Sequence, residues 1–203
     1  MELREKILEG RQTTLGNEDP RTLYAMQILA RSYRYLGRYQ RAMELLGQAL
    51  EKSQRSLGSK DPGLLSIMHG LATCYRNLGR HQEAMKLLEQ VLEARQRTLG
   101  SEHPDTLLAM TNLAVSYDDI GRQQEAMGLM EKTLEATQRT LGSEHPDTLG
   151  AMYNLALSYS RLGRHQEANE LSKKALEARQ RILGSEHPHT LDSTKLVAYC
   201  NKN

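Results

Sequence analysis

Apolar residues recur along this chain with the period of an amphipathic helix. Across residues 110–120, Met110, Leu113, Ala114, Tyr117 and Ile120 stand at i, i+3, i+4, i+7 and i+10, which places them on one helical face. In the next segment Ala126, Leu129, Met130, Thr133, Leu134 and Leu141 form a second such stripe. Gly121 separates the two segments and Gly142 follows the second. The pattern predicts two antiparallel helices of about 16–18 residues, each roughly 25 Å long at a rise of ~1.5 Å per residue.

The pair repeats. Pro20, Pro62, Pro104, Pro146 and Pro188 are spaced 42 residues apart. Gly16, Gly58, Gly100, Gly142 and Gly184 share one register, and Gly37, Gly79, Gly121 and Gly163 share another about half a period away. Leu3, Ile7, Leu8, Leu15 and Gly16 match Leu45, Ala49, Leu50, Leu57 and Gly58, so the sequence starts inside a second helix; it also stops inside a first one. The predicted layout is one repeat domain over residues 1–203: a lone second helix in 1–16, four full repeats at 17–58, 59–100, 101–142 and 143–184, and a closing first helix in 185–203. Helix pairs of this kind cannot bury their apolar faces alone and must stack on one another. The half-repeats at both ends predict a piece of a longer array.

Met110-x2-Leu113-Ala114-x2-Tyr117 followed by Ala126-x3-Met130 resembles the tetratricopeptide repeat, with Met where Trp is usual, Ala for Gly and Met for Phe. The copies beginning at Met26, Met68 and Met152 match similarly. The period is 42 and not about 34, which adds about two helical turns. That longer form, with "LGSEHPDTL" at 99–107 and 141–149 and "NLA" at 112–114 and 154–156, resembles the kinesin-light-chain type. Similar arrays occur at the C-termini of fungal and bacterial nucleotide-binding signalling receptors. The resemblance implies an all-α, right-handed superhelical solenoid of antiparallel helix pairs, non-catalytic and used for protein–protein interaction.

Composition agrees with helices. The 203 residues are 38% hydrophobic and 4% aromatic, all nine aromatics being Tyr, so the core must be built from Leu, Ala, Met and Ile. Lys+Arg 27 against Asp+Glu 25 leaves a net charge of +2, too balanced for a general nucleic-acid or polybasic membrane surface. Two distant cysteines, no apolar run approaching ~18 residues and no signal-peptide pattern predict a reduced, cytoplasmic setting.

The Ser, Glu, His and Asp gathered in "LGSEHPDTL" invite a catalytic or metal reading, which comparison between copies removes. His103, His145 and His187 precede a proline at the first helical turn, where the first two copies carry Asp19 and Asp61. That is the helix N-cap, where a short polar acceptor serves exposed N–H groups. Asp105 and Asp147 then complement the helix dipole, and Gly100 and Gly142 end the preceding helices. Successive histidines lie a whole repeat apart and cannot converge on one ion. Cys74 and Cys200 share a register with Ser32, Ser116 and Ser158, which marks a close helix approach and not a redox pair. The glycines lack the strand–loop–helix context of a phosphate loop. Arg55, Arg97, Arg139 and Arg181 suit the C-terminal ends of second helices, and Met26, Met68, Met110 and Met152 suit the core. No catalytic residue, metal or cofactor is expected.

Recognition is expected on registers that change between copies. On the non-core face of the first helices these include Tyr24, Gln27, Arg31 and Arg34; His69 and Arg76; Leu108, Thr111, Asn112 and Val115; Tyr153, Asn154, Leu157 and Arg161; and Lys195. The resemblance implies that this face lines a concave groove, with Asn112 and Asn154 in the place of asparagines that bind a ligand's backbone and Ile28, Gly70 and Leu196 departing from that pattern. Arg31, Arg34 and Arg76 make the N-terminal part basic, Asp118 and Asp119 interrupt it, and Arg161 and Lys195 follow. The expected partner is a peptide or helix with acidic residues near the first two copies and an apolar anchor near Tyr153 and Leu157. Two alternatives stand beside it: a ligand-sensing part of a larger receptor, and end-to-end self-association through exposed Leu3, Ile7, Leu8, Leu196 and Val197.

Overall fold

The computed structural model describes residues 2–56 and 62–202. Asp61, Leu57 and Gly58 fall outside these residues. The described residues form ten α-helices and no strand: α1 (Glu2–Leu15), α2 (Pro20–Tyr35), α3 (Tyr39–Ser56), α4 (Pro62–Asn77), α5 (His81–Leu99), α6 (Pro104–Asp119), α7 (Gln123–Leu141), α8 (Pro146–Arg161), α9 (His165–Leu183) and α10 (Pro188–Cys200). They fall into two compact units, residues 1–98 and 99–203.

In the first unit α2 packs between α1 and α3 and also touches α4. Its core joins Leu8, Leu23, Met26, Leu29, Leu46, Ile67 and Leu71. In the second unit consecutive helices pack from α6 to α10, and α8 also touches α10. There Met130, Leu134, Leu149, Met152 and Leu155 form one cluster, and Ala156, Ala168, Leu196 and Cys200 another. Neighbouring first helices thus lie side by side within each unit, and their outward registers share a face.

The register of small residues is buried throughout, at Ser32, Cys74, Ser116, Ser158 and Cys200. Burial pushes the Cys74 thiol up to about 11, which keeps it protonated and unreactive. The second helices α5, α7 and α9 reach 19 residues, one more than the spacing predicts. Leu141 does not extend the core stripe: it is 37% exposed, and Ala136 and Thr137 are buried in the last turns instead.

Each junction among the described residues has a physical stop and start. Gly142 ends α7 at φ 88°, ψ 164°, a region that only glycine enters without strain. The Nδ1 atoms of His103, His145 and His187 then accept from the backbone N–H two residues on, each at 3.2 Å, as Asp19 Oδ1 does from Arg21 N at 2.8 Å. The buried Thr148 hydroxyl donates to the Gly142 carbonyl at 2.8 Å, tying stop to start.

The turn inside each repeat is closed differently. In the third repeat Arg122 N donates to Tyr117 O at 2.8 Å and Gly121 N to Asp118 O at 3.1 Å, the paired bonds of a Schellman cap. The Arg122 guanidinium then lies 4.2 Å from the Tyr117 ring centre and pairs with Glu125. Arg80 does the same with Tyr75 and Glu83, and Arg164 with Tyr159 and Glu167. The arginine bonds hold the Glu83, Glu125 and Glu167 carboxyls below their ordinary value.

Candidate peptide-binding surface

In the first unit Tyr24, Gln27, Arg31 and Arg34 on α2 and His69 on α4 converge on one cavity of about 340 Å³, with Ile28, Leu46, Ser66 and Gly70 completing its wall. Arg31 and Arg34 also border a smaller cavity of about 200 Å³ beside Tyr35, Tyr39, Thr73 and Asn77. Both arginines lie on the same α2 face, three residues apart, because that spacing nearly completes a turn. Neither has a carboxylate partner among the described residues, and the buried Arg34 Nε has no acceptor.

In the second unit Tyr153, Leu157 and Arg161 on α8 and Lys195 on α10 converge on a cavity of about 460 Å³. Ser160, Asp192, Leu196 and Tyr199 close it. The cations here are balanced. Arg161 Nη1 donates to Asp118 Oδ2 at 2.7 Å, and Lys195 Nζ lies 3.4 Å from Asp192 Oδ1. The expected order of charges, with Asp118 and Asp119 interrupting and Arg161 and Lys195 following, thus contains a pair: Arg161 and Asp118, on neighbouring first helices, neutralise each other. Desolvation outweighs Arg161 at Asp118 and raises that carboxyl above its ordinary value.

Neither cavity includes Arg76, Leu108, Thr111, Asn112, Val115 or Asn154. Leu108 is exposed, while Val115 packs against the second unit's core. Thr111 and Asn112 both donate into their own helix, to Leu107 O at 3.1 Å and Leu108 O at 2.9 Å. The residues expected at exposed ends divide too. Leu3 and Ile7 are 72% and 43% exposed, but Leu8 and Leu196 are 7% and 6% exposed, covered by α2 and by α8 and α9.

One residue behind the second cavity escaped the sequence reading. Arg179 on α9 is buried, and its guanidinium lies 5.3 Å from the Tyr153 ring centre. It donates to Leu149 O at 3.1 Å on α8, and to His189 O at 3.0 Å and Ser193 Oγ at 2.7 Å on α10. The available signal was a register of polar residues on an apolar stripe: Arg11, Ser53, Arg95, Thr137 and Arg179. Among the described residues no three His, Cys, Asp or Glu side chains gather as metal ligands, and no helix is long and apolar enough to cross a membrane.

Models of the tetratricopeptide repeat match residues 29–97, 63–139 and 148–189. The chain belongs to this family. Members of the tetratricopeptide repeat family are generally protein-interaction scaffolds and typically non-catalytic. A kinesin-light-chain-type protein of Podosopora anserina, with nearly identical TPR-like repeats, is 38% identical over 89% of this chain and 85% of its own, with a TM-score of 0.78. BtubC (BKLC) from P. vanneervenii shares the fold at 23% identity, covering 98% of this chain and 80% of its own, with a TM-score of 0.81. So does a STAND signal-transduction ATPase with a tetratricopeptide repeat sensor from Pyrococcus horikoshii, at 16% identity, 96% of this chain, 29% of that one and a TM-score of 0.79. A search of curated proteins finds no match.

Proposed function

We propose that this tetratricopeptide repeat chain holds a peptide segment or partner helix on the face formed by its first helices. The observation that carries the reading is the cavity of about 460 Å³ on α8 and α10, walled by Tyr153, Leu157, Leu196 and Tyr199. The repeat scaffold does not require these side chains: the Tyr153 register holds Gln27, His69, Thr111 and Lys195, and the Leu157 register holds Arg31, Thr73, Val115 and Tyr199. Apolar side chains left open on a variable register suit an apolar anchor, with Lys195, Asp192 and Arg161 as a polar rim. In the first unit the unpaired Arg31 and Arg34 favour acidic residues.

The test is a peptide-array screen with the whole chain, repeated with Leu157→Glu and Tyr153→Ala. A glutamate at Leu157 places a charge in the apolar wall and should abolish the hits that use it, while truncating Tyr153 should weaken them. Survival of every hit in both variants would refute the assignment of this face.

A further inference from the structure

Gly70 lies well inside α4, where glycine is the poorest helix former except proline. Gly10, Gly47, Gly128 and Gly150 also stand within helices, but a methyl group added at any of them would meet nothing within 4 Å. At Gly70 it would stand 3.2 Å from Leu46 Cδ1 and 3.6 Å from Arg34 Nη1. The room left by the missing side chain is thus filled from α3 and α2, and one of the intruding groups is a guanidinium. Its nearness to α4 is also felt at Cys74, where the Arg34 charge opposes the effect of burial on the thiol.

Several other arginines meet a carboxylate of the chain. Arg80, Arg122 and Arg164 meet a glutamate three residues on, Arg139 and Arg181 meet Glu102 and Glu144, and Arg161 meets Asp118. Arg34 and Arg31 have no such carboxylate among the described residues, and both open on the same cavity. A half-buried guanidinium without an acceptor has lost water and gained nothing, so an entering anion is favoured there more than at an exposed arginine.

We propose that Gly70 determines the specificity of the first unit's cavity: by leaving space for Arg34 against α4, it lets Arg31 and Arg34 together receive carboxylates of an acidic protein segment. The proposal rests on the first-helix face being a protein-binding surface and adds the residue that decides which chemistry this part of it takes. An alanine methyl at position 70 meets Leu46 first and stays at ordinary contact distance from Nη1. A longer side chain reaches the guanidinium. Asparagine, which occupies the register at Asn112 and Asn154, either displaces Arg34 or offers it an amide oxygen, and both remove the place for an anion.

The probe is fluorescein-labelled hexaglutamate, with hexaglutamine as the uncharged control, followed by fluorescence anisotropy on the whole chain at low salt. Hexaglutamate should bind and hexaglutamine should not, and added salt should weaken the binding. Arg31→Gln, Arg34→Gln and Gly70→Asn should each weaken it roughly tenfold or more, while Gly70→Ala should stay within about threefold. Because Gly70→Asn could act through the fold, it is repeated in the Arg34→Gln background, where it should have no further effect. Equal losses in both backgrounds, unchanged affinity in Gly70→Asn, or equal binding of the two peptides would each overturn the proposal. Leu157→Glu separates the layers. If it abolishes array hits while hexaglutamate fails to bind the wild type, the Gly70 site is wrong and the wider surface stands; if array hits also survive, both fall.

Discussion

Replacing Arg179 with threonine tests how the second cavity is held open. The substitution is mild by the chain's own standard, since the register already holds Thr137, whose hydroxyl turns back to Leu134 O at 3.0 Å. At Arg179 it removes three bonds that run from α9 to both walls of the cavity: one to Leu149 O on α8, and two to His189 O and Ser193 Oγ on α10. A typical hydrogen bond contributes about 1 kcal/mol net and one to a charged donor about 1.5–3 kcal/mol. Burial opposes this, because desolvation lowers the Arg179 pKa from its ordinary value, so the charge sits in the fold at some cost. The two carbonyls also lie within helices and keep their helical donors. The balance is a loss of about 2–4 kcal/mol, to which the contact with Tyr153 adds under ~1 kcal/mol. Repeat stacks lose stability locally, so α10 should open first. Amide exchange in α10 should accelerate roughly 30- to 700-fold while α6 and α7 change little. Arg179→Lys should recover less than half, since one ammonium cannot fork to acceptors on two helices. A loss below about 0.5 kcal/mol by urea denaturation, or acceleration spread evenly over the second unit, would refute the reasoning.

Two further outcomes follow from the caps and from Asp118. His145→Asp should preserve stability, as Asp19 performs the same capping in the first copy, whereas His145→Ala should cost about 0.5–2 kcal/mol by thermal or urea denaturation; equal losses in both would exclude capping. For Asp118 the folded pKa is raised by desolvation, so its stabilising contribution is present below the ordinary value of 3.8 and is lost as pH rises through the raised value. Asp118→Asn should therefore gain on the wild type as pH rises through that window and remain at least as stable at neutral pH, measured by urea midpoints from acid to neutral. A variant less stable at neutral pH would show that the Arg161 bond outweighs the desolvation.

The scaffold was legible because each of its constraints recurs every 42 residues. A proline after a polar residue, a glycine at the end of the second helix and a small residue where helices approach leave the same mark in the sequence of every copy. The cavities were only partly legible, since a register places a residue on a face without saying what lies opposite. Tyr153 and Leu157 could be found as apolar departures on the outer face. The pairing of Asp118 with Arg161 could not, because it joins residues 43 positions apart, one more than the period, and depends on how α6 and α8 sit side by side. Arg179 was hidden by its residue type. Arginine two places before another arginine in "ARQRIL" reads as surface, and only packing shows that Arg181 reaches Glu144 outside while Arg179 turns inward. Leu141 failed in the opposite sense, being apolar and in phase with the stripe, yet too near the helix end for a neighbour to cover it.

The arginines divide by what answers them, and under the proposed function that division separates scaffold from recognition. Where an arginine closes the turn inside a repeat, the same copy supplies an aromatic face and a carboxylate, as at Tyr159, Arg164 and Glu167. The first copy breaks this rule: Arg41 stands at the position of Glu83, Glu125 and Glu167, so Arg38 faces a like charge three residues on. Together with Arg31 and Arg34 on α2, this leaves an excess of cations concentrated at the first copy while the chain as a whole carries only +2. Like charges at this spacing repel and opposite ones attract, so the first copy gives up the turn pairing that the later copies have. An unbalanced positive field beside an open cavity raises the local concentration of anionic segments and speeds their encounter. Under the proposal for Gly70, the departure at Arg41 would act with it: one would draw an acidic segment toward the first unit, and the other would give its carboxylates a place to bind.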